Sequence, residues 1–187
     1  MKYHISNEQH FFFEQNHYIE FEELLSSEEQ QKLLEGIEKV GKSERNLSFE
    51  SDIVKSIAHK PRLARLAAEI ARTKRLRFGF DQLIEPGKGF PSTNYCIQGL
   101  VCLLYLCLEG SHAIYTLPEV ASSDLPLDPQ KRYLLIGWAK EKALYVFPAA
   151  LGTLSRLSVD IETEKVQAIH AQASVVYANP GIEKLEG

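Results

Sequence analysis

The sequence predicts one domain of the α+β class, mainly β, in which a sandwich or barrel of strands carries helices on one side. Apolar residues repeat with the helical period up to about residue 75, and from about residue 76 onward they form short alternating or continuous runs. A chain of 187 residues is also long enough to bury its own core, and no linker or internal repeat divides it. We therefore expect a single domain over residues 1–187.

The first part opens with a short strand and continues with two helices. Residues 17–21 alternate between polar and apolar, as a half-buried strand does. Ser27 and Gln30 have the spacing of a capping box, which predicts a helix from there to about Val40. After a polar connection, Pro61 suits the first position of a second helix. The apolar face of this second helix is formed by Leu63, Leu66, Ala67 and Ile70.

The second part is predicted to be a series of strands separated by turn signals. One segment is apolar on both faces, as expected of an inner strand covered on both sides. A charged turn at residues 140–142 is expected to separate two of the strands. The predicted strands are residues 77–84, 100–108 (the inner strand), 113–117, 133–138, 144–147 and 174–177.

Composition and charge exclude several classes of protein. The formal net charge of -4 argues against bulk electrostatic binding to nucleic acid, which requires clustered cations. The longest apolar run has nine residues, whereas a membrane helix needs about 20. Without a signal peptide at the first residues, we expect a soluble, cytoplasmic protein. Cys96, Cys102 and Cys107 form no CxxC pair, so buried, reduced thiols are expected.

One cluster of basic residues surrounds the second helix and the start of the next strand. The ordinary interpretation is a solvated helix face, with some side-chain stems packing on the sheet. The alternative is a docking surface for an anionic partner. The candidate residues of this basic surface are Arg62, Arg65, Arg72, Lys74 and Arg75, with Lys60 and Arg77 beside them.

The order of these segments resembles the iron(II), 2-oxoglutarate-dependent oxygenases of the prolyl-hydroxylase and phytanoyl-CoA dioxygenase type. The opening segment 17–29 is similar to their first strand and helix start, and residues 100–107 are similar to their inner strand. Residues 144–148 are similar to the strand that precedes the distal metal histidine, and residues 175–180 to the closing strand. The resemblance implies a double-stranded β-helix, which is a jelly-roll barrel, with the N-terminal helices packed on one side.

The resemblance also implies where metal ligands should lie. The window of the family's His-x-Asp/Glu pair holds Ser92 and Asn94, and the distal histidine position holds Ser155. Hydroxyl and amide groups do not replace the two imidazoles and the carboxylate that iron(II) requires. If the resemblance fails, these three are ordinary loop residues. Near the position of the cation that grips the cosubstrate lie His170 and Gln172, with Arg156 as a less well-placed substitute.

Another set of ligands is conceivable. His112 opens a predicted strand beside the inner strand, and together with His170 and Asp81 it could form a non-standard metal site. The ordinary interpretation is that both histidines lie at turns or strand edges, because none of the six histidines has a histidine partner two or four residues away.

Two functions follow. The first is a non-catalytic module that binds a small molecule or a protein and needs no metal or cofactor. The second is an active iron(II), 2-oxoglutarate oxygenase, or another metalloenzyme, with an unusual ligand set. The first is favoured, with pocket candidates Ser92, Asn94, Ser155, His112, His170 and Arg156.

Overall fold

The structure is a computed structural model that describes residues 5–41, 44–73, 75–87, 97–147, 155–160, 165–172, 175–177 and 184–186, the last four ranges as backbone only. Four α-helices and nine strands are formed within these ranges. The helices are α1 (Asn7–Asn16), α2 (Ser27–Val40), α3 (Asp52–Ala58) and α4 (Pro61–Ile70). The strands are β1 (Tyr18–Glu22), β2 (Arg75–Ile84), β3 (Ile97–Cys107), β4 (His112–Thr116), β5 (Tyr133–Phe147), β6 (Ser155–Asp160), β7 (Lys165–Gln172), β8 (Val175–Tyr177) and β9 (Lys184–Glu186).

The strands form one large antiparallel sheet and a separate hairpin. The large sheet has the order β1-β4-β3-β5-β2-β9, with β8 also pairing with β5. Strands β6 and β7 form the hairpin. The fold is therefore mixed α and β with a mainly antiparallel sheet, as the sequence predicted at this level.

Both faces of the large sheet are buried. The helices cover one face and form the helix-side core, in which Trp138, Tyr115 and Phe78 are fully buried beneath α4 and its neighbours. The other face carries a second core built around Tyr105 and Tyr133 and closed partly by the loop that contains Leu125. An inner strand apolar on both faces was predicted at residues 100–108, and β3 confirms it.

The two predicted helices are confirmed, with one correction at the start of α2. The N-cap is Ser26 rather than Ser27: its side chain accepts a hydrogen bond from the backbone of Glu29, and the Glu29 side chain accepts from the Ser26 N–H. Two serines precede two glutamates and a glutamine here, so the same capping-box spacing fits both registers. At α4, Pro61 is the first helical residue, as expected.

Three further expectations were wrong or incomplete. The polar connection before Pro61 contains the seven-residue helix α3 and a short 3-10 turn, Leu47–Phe49. The two strands expected at 133–138 and 144–147 are one strand, β5, of 15 residues. The charged segment at 140–142 does not turn. The strand continues past it along β3, whose pairing with β5 shifts register on either side of Leu100.

Strand β1 joins the early part of the chain to the sheet. It pairs with β4 along its whole length, from Tyr18 opposite Thr116 to Glu22 opposite His112. The edge of β2 is covered by residues 44–46: the N–H of Asn46 donates to the carbonyl of Asp81, and the N–H of Leu83 donates to that of Glu44. No helix in the described ranges is long and apolar enough to cross a bilayer.

Candidate functional site

The hairpin of β6 and β7 brings together four residues that the sequence singled out. Ser155 lies opposite Gln172, and Arg156 lies opposite Ile169, with a shift of register between the two pairs. His170 lies between these two positions of β7. Backbone pairing therefore gathers Ser155, Arg156, His170 and Gln172 at one end of the hairpin, which their separation in sequence did not reveal.

Several predicted site residues lie outside the part of the chain that the structure describes. Ser92 and Asn94, the expected positions of the histidine and carboxylate ligands, are among them. So are Lys74 of the basic surface and Cys96. Their assignment stays a prediction from the sequence.

His112 on β4 has a carboxylate partner on the edge strand β1 of the large sheet. Its Nε2 lies 2.6 Å from a carboxylate oxygen of Glu20 on the neighbouring strand β1. Ala113 packs in the helix-side core, so strand alternation turns His112 toward the opposite face of the sheet. The histidine thus links two strands at a half-exposed position.

Asp81 has a different role from the one considered for it. Its carboxylate is fully buried on the helix-side face of β2, where it accepts hydrogen bonds from the backbone N–H groups of Leu47 and Ser48. Strands β3 and β5 lie between β4, which carries His112, and β2, which carries Asp81, so the two residues are at least about 14 Å apart. Their side chains also point to opposite faces of the sheet. The proposed set of His112, His170 and Asp81 is therefore wrong, because two of its members cannot share one ion.

Among the described residues, no group of three or more histidine, cysteine, aspartate or glutamate side chains is arranged to hold a metal ion. The other half-buried histidines have local contacts. His59 stacks on Phe78 with ring centroids 4.3 Å apart, and His10 lies 3.8 Å from a carboxylate oxygen of Glu69. The donors at the implied iron positions, two serines and an asparagine, do not fit iron(II) either.

The described cysteines are unreactive. Cys102 and Cys107 are buried and form no disulfide, as the sequence predicted. Burial raises the pKa of both thiols, which disfavours the thiolate form that reacts as a nucleophile.

The basic surface is partly neutralised by the protein itself. Glu29 at the start of α2 accepts hydrogen bonds from both Lys60 and Arg62. Arg72 forms an ion pair with Glu14 of α1. Arg65 and Arg75 are exposed. Arg62 and Arg72 therefore link α4 and the residues just after it to other helices, while Arg65 presents its charge to solvent.

An open cleft of about 440 Å³ lies between two helices and the large sheet, and no motif in the sequence predicted it. The second half of α1 and the last residues of α4 form one side. Residues 100–101 of β3, residues 117–119 after β4, and Lys140 in the middle of β5 form the other. Its charged and histidine side chains are His10, Glu14, His17, Arg72, Glu119 and Lys140. These residues come from four separate segments, so only the folded chain brings them together.

Comparisons with known proteins identify the fold. No family model matches the sequence, and no curated protein is similar to it. Among solved structures, CT296 from Chlamydia trachomatis is similar with a TM-score of 0.60 and 19% identity, over 75% of this chain and 98% of that one. The epimerase SnoN, crystallised with Fe3+, alpha ketoglutarate and nogalamycin RO, is similar with a TM-score of 0.64 and 11% identity, over 95% of this chain and 97% of that one.

A third similar structure is the non-heme alpha ketoglutarate dependent carbocyclase SnoK from nogalamycin biosynthesis. Its TM-score is 0.58 and its identity 12%, over 75% of this chain and 86% of that one. At identities this low, the structural similarity establishes only a shared fold. The chemistry of each chain has to be argued from its own residues. The chain therefore shares the fold of the non-heme, alpha ketoglutarate dependent enzymes SnoN and SnoK.

Proposed function

We propose that this chain is a double-stranded β-helix protein of the 2-oxoglutarate oxygenase type that has lost iron-dependent catalysis and acts as a binding module for a small molecule or a protein. One observation carries the proposal. The full sequence contains no His-x-Asp or His-x-Glu pair, and the implied ligand positions hold Ser92, Asn94 and Ser155. The chemistry of these enzymes belongs to the metal, so a chain that lacks the donors lacks the reaction.

Three histidines, His10, His59 and His112, support the proposal because their side chains already have local contacts. The ring of His112 lies against the carboxylate of Glu20, and that of His59 lies against the ring of Phe78. Asp81 binds backbone N–H groups. Recruiting any of these as a metal ligand would break the contacts that it makes now.

The competing function is an iron(II), 2-oxoglutarate enzyme with an unusual ligand set. Its support is the similarity to SnoN, whose structure contains Fe3+ and alpha ketoglutarate. Within this chain, His170 at the end of the β6–β7 hairpin is the histidine that such a site would draw on.

Metal analysis separates the two functions. Protein purified from iron-supplemented cells is loaded with iron(II) without oxygen and dialysed, and its metal content is measured. We expect far less than one ion per chain, and no binding of 2-oxoglutarate that depends on added Mn2+. One bound ion per chain, or binding of 2-oxoglutarate that requires the metal, would refute the proposal. Loss of that binding in His170→Ala would then identify a ligand.

A further inference from the structure

The cleft between α1, α4 and the large sheet has an apolar floor large enough for a small ligand. Phe13 and Ile70 belong to the helix-side core and also reach the cleft, where Leu117 and Leu100 lie beside them. Its volume of about 440 Å³ lies within the range of small-molecule sites, about 300–1,000 Å³. The floor can therefore take an apolar group of modest size.

Some of the ionisable side chains around the cleft lie beside ionisable groups of the same chain. Arg72 pairs with Glu14, and His10 lies 3.8 Å from a carboxylate oxygen of Glu69. Each of these contacts joins α1 to α4 or to the residues just after it. They account for three of the ionisable groups around the cleft.

His17, Lys140 and Glu119 remain, and the last two carry full charges at neutral pH. Lys140 lies on β5, and Glu119 lies in the loop after β4; both are exposed, and neither forms an ion pair within the described part of the chain. A ligand with one charge would meet one favourable and one opposing group, whereas a zwitterion can place a charge at each.

Two residues that line the cleft have left-handed backbone where a helix ends. His17 (φ 61°) and Arg72 (φ 49°) adopt the left-handed conformation at the ends of α1 and α4. Such a conformation costs a residue other than glycine about 1 kcal/mol. Both residues line the cleft, and both conformations end a helix in the usual way: the N–H of His17 donates to the carbonyl of Phe13, and that of Thr73 to Ala68.

We propose that this cleft binds a small zwitterion with an apolar side group, such as an apolar amino acid. Lys140 binds its carboxylate, Glu119 binds its ammonium group, and the floor formed by Phe13, Ile70 and Leu117 holds its apolar part. This proposal rests on the proposed binding function and names a site and a class of ligand for it.

Three related probes test the proposal by calorimetry or ligand-observed NMR. Phenylalanine carries both charges, 3-phenylpropionate carries only the carboxylate, and 2-phenylethylamine carries only the ammonium group. We expect phenylalanine to bind at least about threefold more tightly than either, as one exposed ion pair allows. Equal binding of all three probes, tighter binding of a singly charged one, or no saturable binding overturns the proposal.

Two variants assign the charges. Lys140→Gln should remove the advantage of phenylalanine over the amine, and Glu119→Gln should remove its advantage over the acid. Lys131→Gln is the matched control, because it removes the same charge from an exposed position just before β5, roughly 25 Å from Lys140 along the strand. If the control lowers phenylalanine affinity as much as Lys140→Gln does, the assignment fails. Iron content measured on the same protein distinguishes failure of this inference from failure of the proposed function. Bound iron would refute the proposed function. An iron-free protein that does not bind phenylalanine would refute only this inference.

Discussion

The buried carboxylate of Asp81 on β2 accepts a hydrogen bond from the hydroxyl of Ser48 in the 3-10 turn before α3. The same carboxylate accepts from the N–H groups of Leu47 at 2.6 Å and of Ser48 at 3.2 Å. Asp81 is 0% exposed. One side chain thus fastens the turn that leads into α3 to the edge of the large sheet.

Replacing Asp81 by Asn should destabilise the protein by about 2 to 3 kcal/mol, since hydrogen bonds to a charged group are lost and an amide nitrogen meets backbone donors. Burial raises the pKa of Asp81 above its ordinary value of 3.8, and the hydrogen bonds from Ser48 and Leu47 oppose the rise. A raised pKa means that the folded state holds the proton more tightly than the unfolded state. Below pH 3.8 this contribution to stability is fully present, and it is lost as the pH rises through the pKa of the folded state.

Urea unfolding of the wild type and of Asp81→Asn from pH 3 to pH 7 measures this effect. The free energy of unfolding of the wild type, relative to the variant, should fall as the pH rises. Asp124→Asn, which changes an exposed aspartate, should show no such trend. A relative stability that instead increases with pH would mean that hydrogen bonding outweighs burial at Asp81.

A methyl group at Gly137 would overlap the ring of Phe80, whose Cδ1 atom would lie 2.7 Å from the added carbon. Gly137→Ala should therefore destabilise the protein by about 1 to 3 kcal/mol, as overpacking does. In a Phe80→Ala background the same substitution should cost little, because the ring is gone. At Gly110 the nearest atom, the Cys107 sulfur, is 3.7 Å away, so Gly110→Ala is the control. Equal losses in both backgrounds would show that Phe80 does not limit the space.

Periodicity in the sequence located most of the elements and failed where packing departs from a simple period. Helix α4 has a one-sided apolar face and was predicted closely, whereas α1 buries only Phe13 and presents Phe11 and Phe12 to solvent. The sequence predicted two strands where β5 is one, because charged residues are typical of turns. Pairing with β3 continues on both sides of these charged residues, so the strand is not interrupted. Neither the packing of α1 nor the pairing of β5 with β3 can be predicted from the local sequence.

The candidate sites show the same division. Ser155, His170 and Gln172 were selected through resemblance to a family, and the pairing of β6 with β7 is what brings them to one end of the hairpin. Glu119 and Lys140 were not selected at all, since single charges in loops and strands are common. Their meeting at one cleft depends on the order of strands in the sheet.

The cation of Arg62 should matter for stability, and that of Arg65 should not. Arg62 donates to Glu29 at 2.8 Å and is half-buried, while Arg65 is exposed on the same helix. Arg62→Ala should lower the free energy of unfolding by about 1 kcal/mol, through the ion pair and the lost packing of its stem. Arg65→Ala should change it by less than about 0.5 kcal/mol. Equal effects in chemical denaturation would mean that the contact with Glu29 adds nothing.

Glycine at position 17 should stabilise the protein. His17 has φ 61° at the end of α1, a conformation that glycine adopts without strain. We expect His17→Gly to raise the midpoint of thermal unfolding, corresponding to about 0.5 to 1 kcal/mol. Asn16→Gly, one residue earlier and within the helix, should lower the midpoint by a similar amount. A fall for both variants would show that the His17 side chain contributes more than its strain costs.

Restoring the implied ligands tests the alignment with the oxygenases directly. If Ser92, Asn94 and Ser155 occupy the ligand positions, the triple variant Ser92→His, Asn94→Asp, Ser155→His presents two imidazoles and a carboxylate to one point. It should then bind one Co2+ per chain, seen as visible absorption bands that the wild type lacks. The control places the same three residues at Ser122, Asn46 and Ser56, which lie in separate elements, and should bind none. A triple variant that folds but binds no Co2+ would show that these three positions do not converge, and the proposed loss of an iron site would fall with them.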